Sequence, residues 1–203
     1  DMVFEDIRPA AVKIGMVSSS EIIEKIAERL KSWKARNIVV DPVMVATSGA
    51  RLIDEDAQGA LTSQLFPLAT LITPNIPEAE LLSGMSIEDG ASQEQAARLL
   101  MQRYGCATLV KGGHRINEAS DALACETSDG AKTTWFTHPR VDNPNTHGTG
   151  CTLSSAIACG LAQNLPLADA VEAAKRYLTG ALEAQLDLGQ GSGPLDHMWL
   201  YRR

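Results

Sequence analysis

Two short runs constrain this chain more than any other feature. Asn37–Asp41 reads NIVVD and Ala69–Thr73 reads ATLIT, and each is stopped at once by a proline, Pro42 and Pro74. Continuous β-branched and aliphatic runs of this length carry no polar alternation. NIVVD therefore predicts a strand buried on both faces, the pattern of a parallel sheet covered by helices, and ATLIT predicts the next strand. The segments between them fit. Ala11–Met16 and Thr108–Lys111 read as further short buried strands. Glu21–Trp33, Leu52–Leu65, Pro77–Leu82, Ser92–Arg103, Thr152–Ala162 and Leu167–Leu186 read as helices. Their starts carry Ser20, Asp54, Asn75 and a Ser92/Gln95 capping box. Ala122–Glu126 and Lys132–Thr137 flank Ser128-Asp129-Gly130 and predict a hairpin added antiparallel at one edge. Strand–helix alternation over 203 residues without a repeat or linker predicts a single α/β domain.

Charge and cysteine usage narrow the function classes. The formal net charge of −7 gives no basic footprint for nucleic acid or an anionic membrane. No apolar run approaches the ~20 residues of a membrane span. Cys106, Cys125, Cys151 and Cys159 form no C-x-x-C pair, which argues against zinc and thioredoxin-type chemistry and suits a reducing cytoplasm. Cys159 is expected to be a core filler. The chain opens Asp1-Met2-Val3-Phe4, an unusual translated start, and is expected to be N-terminally incomplete.

Ligands of open α/β sheets bind beyond the carboxyl ends of the strands. There the sequence places Gly15-Met16, Asp41, the T-P-N-x-x-E segment with Asn75 and Glu78, and Lys111-Gly112-Gly113-His114. NTHGTGCTLS at 145–154 adds a small-residue run opening a helix. Gly148 and Gly150 allow positive φ and close backbone approach. The first amides of the helix, with the positive end of its dipole, make a pocket suited to phosphate. A thiol at Cys151 would stand in that field, which favours a thiolate able to accept a proton. Each residue also has a plainer reading. The small run could serve tight packing, Asp41 could end a strand, and Asn75 and Glu78 could be ordinary first-turn groups. Lys111 could sit in a turn, and His114 and His147 could be loop histidines.

VKIGM, VDPVM, TPNIPEAE, VKGGH and NTHGTGCTLS, in this order, resemble the hydroxymethylpyrimidine/phosphomethylpyrimidine kinases of thiamine biosynthesis, a ribokinase-like family. The similarity runs from about Val12 to GPLDHMW near the C-terminus. The cysteine in GTGC stands where most ribokinase-like proteins carry aspartate. The resemblance implies a three-layer α/β/α ribokinase-like kinase domain over residues 1–203, lacking the first strand and lid. It also implies two ATP-dependent phosphorylations, of 4-amino-5-hydroxymethyl-2-methylpyrimidine and of its monophosphate. By the same resemblance Cys151 takes the catalytic position and the backbone of Gly148, Thr149, Gly150 and Cys151 forms the anion hole. Asn75 and Glu78 organise Mg2+ and the ATP phosphates, largely through water. Asp41 lies near the metal, Thr146 and Lys111 face the nucleotide, and Lys175 lies near its base. Met16 and Val43 line the pyrimidine pocket. A homodimer in the cytoplasm is expected.

Three readings compete. One is the pyrimidine kinase. Another is pyridoxal kinase, whose substrate is also a flat ring with a hydroxymethyl group. The third is a truncated, non-catalytic relative that binds nucleotide or thiamine precursors. A redox thiol protein is disfavoured because Cys151 has no resolving partner nearby. The family's G-S/T-D-x-S-G-G-A-G-I-Q-A-D segment is not among these residues, so weak or absent turnover is expected of the 203-residue chain.

Overall fold

A computed structural model of the protein describes residues 1–45, 51–112, 118–143, 146–186, 188–191 and 193–201. Four strands, β1 (Val12–Ile14), β2 (Ile38–Val40), β3 (Leu71–Ile72) and β4 (Ala107–Val110), lie side by side in chain order, all parallel. Two longer strands, β5 (Glu118–Thr127) and β6 (Gly130–Pro139), follow as an antiparallel hairpin on the edge of β4. The predicted mostly parallel sheet with an edge hairpin is the one observed.

The period of two sorts the strand side chains into two cores. Ile38, Val40, Ile72 and Val110 face one layer; Val39, Leu71, Leu109 and Leu123 face the other. A short helix α1 (Met2–Asp6) precedes β1, and the first layer holds α2 (Ser20–Ser32), α3 (Glu55–Ala60), α4 (Ile76–Ser83) and α5 (Gly90–Tyr104). The second holds α6 (Thr149–Ala162) and α7 (Leu167–Glu183). Both faces of NIVV are therefore dry, as its unbroken apolar character requires.

The helices differ from expectation at their starts. Ser19, not Ser20, caps α2, accepting from the Ile22 amide at 3.4 Å. Asp89, not Ser92, caps α5. Its carboxylate accepts from the Ser92 amide at 2.8 Å, and the Ser92 hydroxyl accepts in return from the Asp89 amide at 3.0 Å. The segment expected as one helix over 52–65 is three pieces: α3, a π-turn over Leu61–Leu65 and a 3-10 turn over Phe66–Leu68. The hydroxyls of Thr62 and Ser63 donate to the carbonyls of Gln58 and Gly59, competing with the helical ladder. The wider turn puts Leu61, Leu65 and Phe66 all in the core.

In the second layer α6 buries Leu153, Ile157 and Leu161. A Cβ on Gly160 would stand 2.9 Å from the Ala170 Cβ, so α6 and α7 meet with almost no space between them. Cys159 falls off the buried face and is exposed, against the expectation of a core filler. All four cysteines are free, and burial pushes the Cys106 thiol up to about 12. No helix among the described residues is long and apolar enough to cross a membrane.

Candidate active site

Parallel strands end on one rim, so the residue after each strand is placed by the sheet itself. Asp41 follows β2, Thr73 to Asn75 follow β3, and Lys111 follows β4. The sheet extends one step past its strands here. Lys111 donates its amide to the Pro74 carbonyl at 2.9 Å and pairs with Asn75 in a parallel bridge. The Lys111 side chain crosses the rim and places Nζ 2.7 Å from Asp41 Oδ1. The Thr73 hydroxyl donates to the same Oδ1 at 2.9 Å. Asp41 is almost fully buried, so both contacts offset the cost of holding its charge away from water.

Glu78 lies beside this pair. It is the N3 residue of α4, in a capping box with Asn75. The Asn75 side chain accepts from the Glu78 amide, and Glu78 Oε2 accepts from the Asn75 amide, both at 2.9 Å. Its Oε1 accepts from the Met44 amide at 3.2 Å. Burial pushes the Glu78 carboxyl above its ordinary value, aided by the charge of Asp41 and opposed by Lys111 and the two amides. The plain N-cap reading of Asn75 holds. The capping box is what fixes the carboxylate at the rim.

The start of α6 closes the arrangement. Gly148 is its N-cap at φ 83°, a left-handed conformation suited to glycine. The Thr149 amide donates to the Thr146 carbonyl at 3.4 Å and the first i→i−4 bond runs from Thr152 to Gly148 at 2.8 Å, which leaves the amides of Gly150 and Cys151 as the first-turn donors. Thr146 lies just before, its carbonyl accepting from the Thr149 hydroxyl at 3.0 Å. Gly150 has no positive φ. Its role is proximity: a Cβ there would stand 3.3 Å from Lys111 Nζ and 3.6 Å from Asp41 Oδ2. Ser154, one turn on, brings its hydroxyl 3.5 Å from Asp41 Oδ2. Cys151 occupies the next position around the helix and is exposed.

The other expected residues are more dispersed. Met16 follows β1 and is exposed, and Val43, two residues past Asp41, is half-buried. Lys175 of α7 is buried, with Nζ 2.7 Å from Asp121 Oδ2. The structure therefore directs its ammonium at a carboxylate of the hairpin. Gly113, His114 and Asn145 lie outside the described residues. Sequence reasoning missed Thr73, Ser154 and Asp121. The first was readable from its place at a strand end. The other two show their partners only in three dimensions.

A parallel sheet between two helical layers, with a carboxylate, a lysine and a glycine-opened helix meeting on its carboxyl rim, defines a ribokinase-like protein. The family model for phosphomethylpyrimidine kinase matches residues 1–196. The thiamine biosynthesis bifunctional protein ThiED of Geobacter sulfurreducens is 49% identical over 199 residues, covering 98% of this chain and 40% of that protein. The hydroxymethylpyrimidine/phosphomethylpyrimidine kinase of Haemophilus influenzae is 42% identical over 207 residues, covering 100% of this chain and 76% of that one. The solved ADP complex of Bacillus subtilis pyridoxal kinase superposes with a TM-score of 0.82 at 34% identity, covering 95% of this chain and 70% of that one. The chain belongs to the phosphomethylpyrimidine kinase family. It spans two-fifths of the bifunctional relative and about three-quarters of the monofunctional one.

Proposed function

We propose that the protein transfers the γ-phosphoryl group of ATP to the hydroxymethyl oxygen of 4-amino-5-hydroxymethyl-2-methylpyrimidine, and a second phosphoryl group to the resulting monophosphate. The observation that carries this reading is the approach of Gly150 to Lys111 and Asp41, which joins a helix N-terminus to a lysine at one point. Phosphoryl transfer depends on alignment and on stabilising charge that spreads over the transferring oxygens. The amides of Gly150 and Cys151 receive those oxygens, and the Lys111 ammonium neutralises them. The hydroxymethyl oxygen forms a bond to the γ-phosphorus, the bond to ADP breaks, and the Cys151 sulfur serves as the base that takes the hydroxyl proton. Met16 and Val43 border the pyrimidine. Asn75 and Thr146 lie toward the nucleotide, while Lys175 acts on it at one remove, through Asp121.

Asp41 and Glu78 fit Mg2+, which is held by one or two carboxylates together with waters and substrate phosphates. The ion would draw charge from the β- and γ-phosphates. A cytoplasmic homodimer is part of the same proposal; the four free cysteines suit the compartment, and the dimer is what the sequence resemblance implies.

The likeness to a pyridoxal kinase favours pyridoxal as the competing acceptor. The test is ADP release by the purified chain with each acceptor, beside calorimetric titration with ATP. Faster release with the pyrimidine is expected. Release with pyridoxal alone would reassign the acceptor, and ATP binding without release would make the chain a binding protein.

A further inference from the structure

Resting on the kinase reading, we propose that Asp121 is a positioning residue for Lys111, and that Lys175 serves it by holding its carboxylate in place. Lys111 is one of three consecutive residues whose backbone is clamped from different elements. The Val110 carbonyl accepts from Gln93 Nε2 at 2.9 Å, the arm of a fully buried glutamine on α5 that also donates to the Ser120 carbonyl at 3.0 Å. The Lys111 amide is tied to Pro74 of the rim. The Gly112 amide donates to Asp121 Oδ1 at 2.8 Å, in a buried contact. Gly112 admits no side chain there, because a Cβ would collide with the Ser120 carbonyl. β5 is therefore pressed against the backbone just past the lysine.

The other oxygen of Asp121 accepts from Lys175 Nζ at 2.7 Å, and both side chains are 6% exposed. A buried ion pair is rarely the most stabilising solution, since well-packed apolar residues of similar volume often do as well or better. What the pair supplies is direction. It fixes one carboxylate oxygen toward α7 and leaves the other aimed at Gly112. The α7 layer is thereby linked through β5 to the residue whose ammonium lies 2.7 Å from Asp41. A lysine stem is flexible, so its working position depends on the backbone that carries it. Displacing that backbone lowers turnover without altering the pyrimidine pocket.

The test compares two double variants that both lack the ion pair. Asp121→Asn/Lys175→Met keeps an oxygen able to accept from the Gly112 amide; Asp121→Leu/Lys175→Met removes it. The asparagine form, which shares the loss of Lys175, is the reference for kcat. The leucine form is expected to lose roughly tenfold to a hundredfold at unchanged KM for the pyrimidine, in keeping with the cost of misplacement in a preorganised site. Should leucine prevent folding, Asp121→Ala/Lys175→Met makes the same comparison. Equal kcat in the two forms would overturn the proposal. Absence of transfer by the unsubstituted chain would fall on the kinase reading instead. In that case amide hydrogen exchange at Gly112 decides: faster exchange in the leucine form alone supports the positioning contact, and equal exchange refutes it.

Discussion

Lys111 and Asp41, seventy residues apart in sequence, meet at 2.7 Å over the ends of β2 and β4, with the lysine side chain 15% and the aspartate 3% exposed. The lysine is the more accessible partner, so it can turn part of its charge toward a bound phosphate while still compensating the aspartate. Lys111→Met is expected to remove both services. It should cost about 3 kcal/mol of stability by leaving a buried carboxylate without its cation, and it should abolish measurable turnover. Urea denaturation and an ADP-release assay check the two losses separately.

Cys151→Ser tests the thiol. Its backbone amide is unaffected, so ATP affinity should stay within about twofold, while kcat falls roughly a hundredfold, the scale of a lost general base. Undiminished turnover would take the sulfur out of the mechanism and leave the site to amides and lysine.

The two glycines opening α6 should fail differently. Gly148→Ala forces an ordinary residue to φ 83° and should cost about 1–2 kcal/mol. Gly150→Ala has an ordinary backbone conformation and gains helix propensity, so its melting temperature should hold or rise slightly. Its new methyl, 3.3 Å from the Lys111 ammonium, should nonetheless cut turnover about tenfold. Melting curves beside kcat values distinguish a strained cap from a crowded site.

Glu78 gives the stability curve a sign. Its carboxyl is raised above the ordinary 4.5 by burial, so the folded state binds its proton more tightly than the unfolded one. Its contribution is then fully present below pH 4.5 and is lost as pH climbs through the raised value. Relative to Glu78→Gln, the unsubstituted protein should lose stability over that climb. Denaturation midpoints of both forms from pH 4 to pH 7 would show it, and parallel curves would contradict it.

The strands and their order of use were legible because proline punctuates them: Pro42 and Pro74 follow the runs directly, and the sheet then places Asp41 and Lys111 on one rim without further information. The break inside 52–65 was not, since Leu61, Leu65 and Phe66 suit a regular helix as well as a π-turn. Hydroxyl competition from Thr62 and Ser63 decides between them only once the backbone is laid out. Cys159 was readable after all. Leu153, Ile157 and Leu161 recur every four residues, and position 159 falls between them on the far side. Asp121 was hidden for a different reason. It sits in a hairpin strand where a polar residue normally faces water, and its partners Lys175 and Gly112 come from elements that sequence periodicity cannot bring together.

The seam at Gly160 and Ala170 has a bearing on how this protein would age under mutation. That contact limits how far α6 can slide along α7 and over the sheet, and a slide at this last turn carries through to the far, N-terminal end, where the proposed phosphoryl oxygens bind. A methyl added at the seam would shift the helix by tenths of an ångström, a small matter for a well-filled core but a large one for amides that must meet a moving phosphoryl group. Drift in this lineage should therefore announce itself as a kinase that stays folded and runs out of tune.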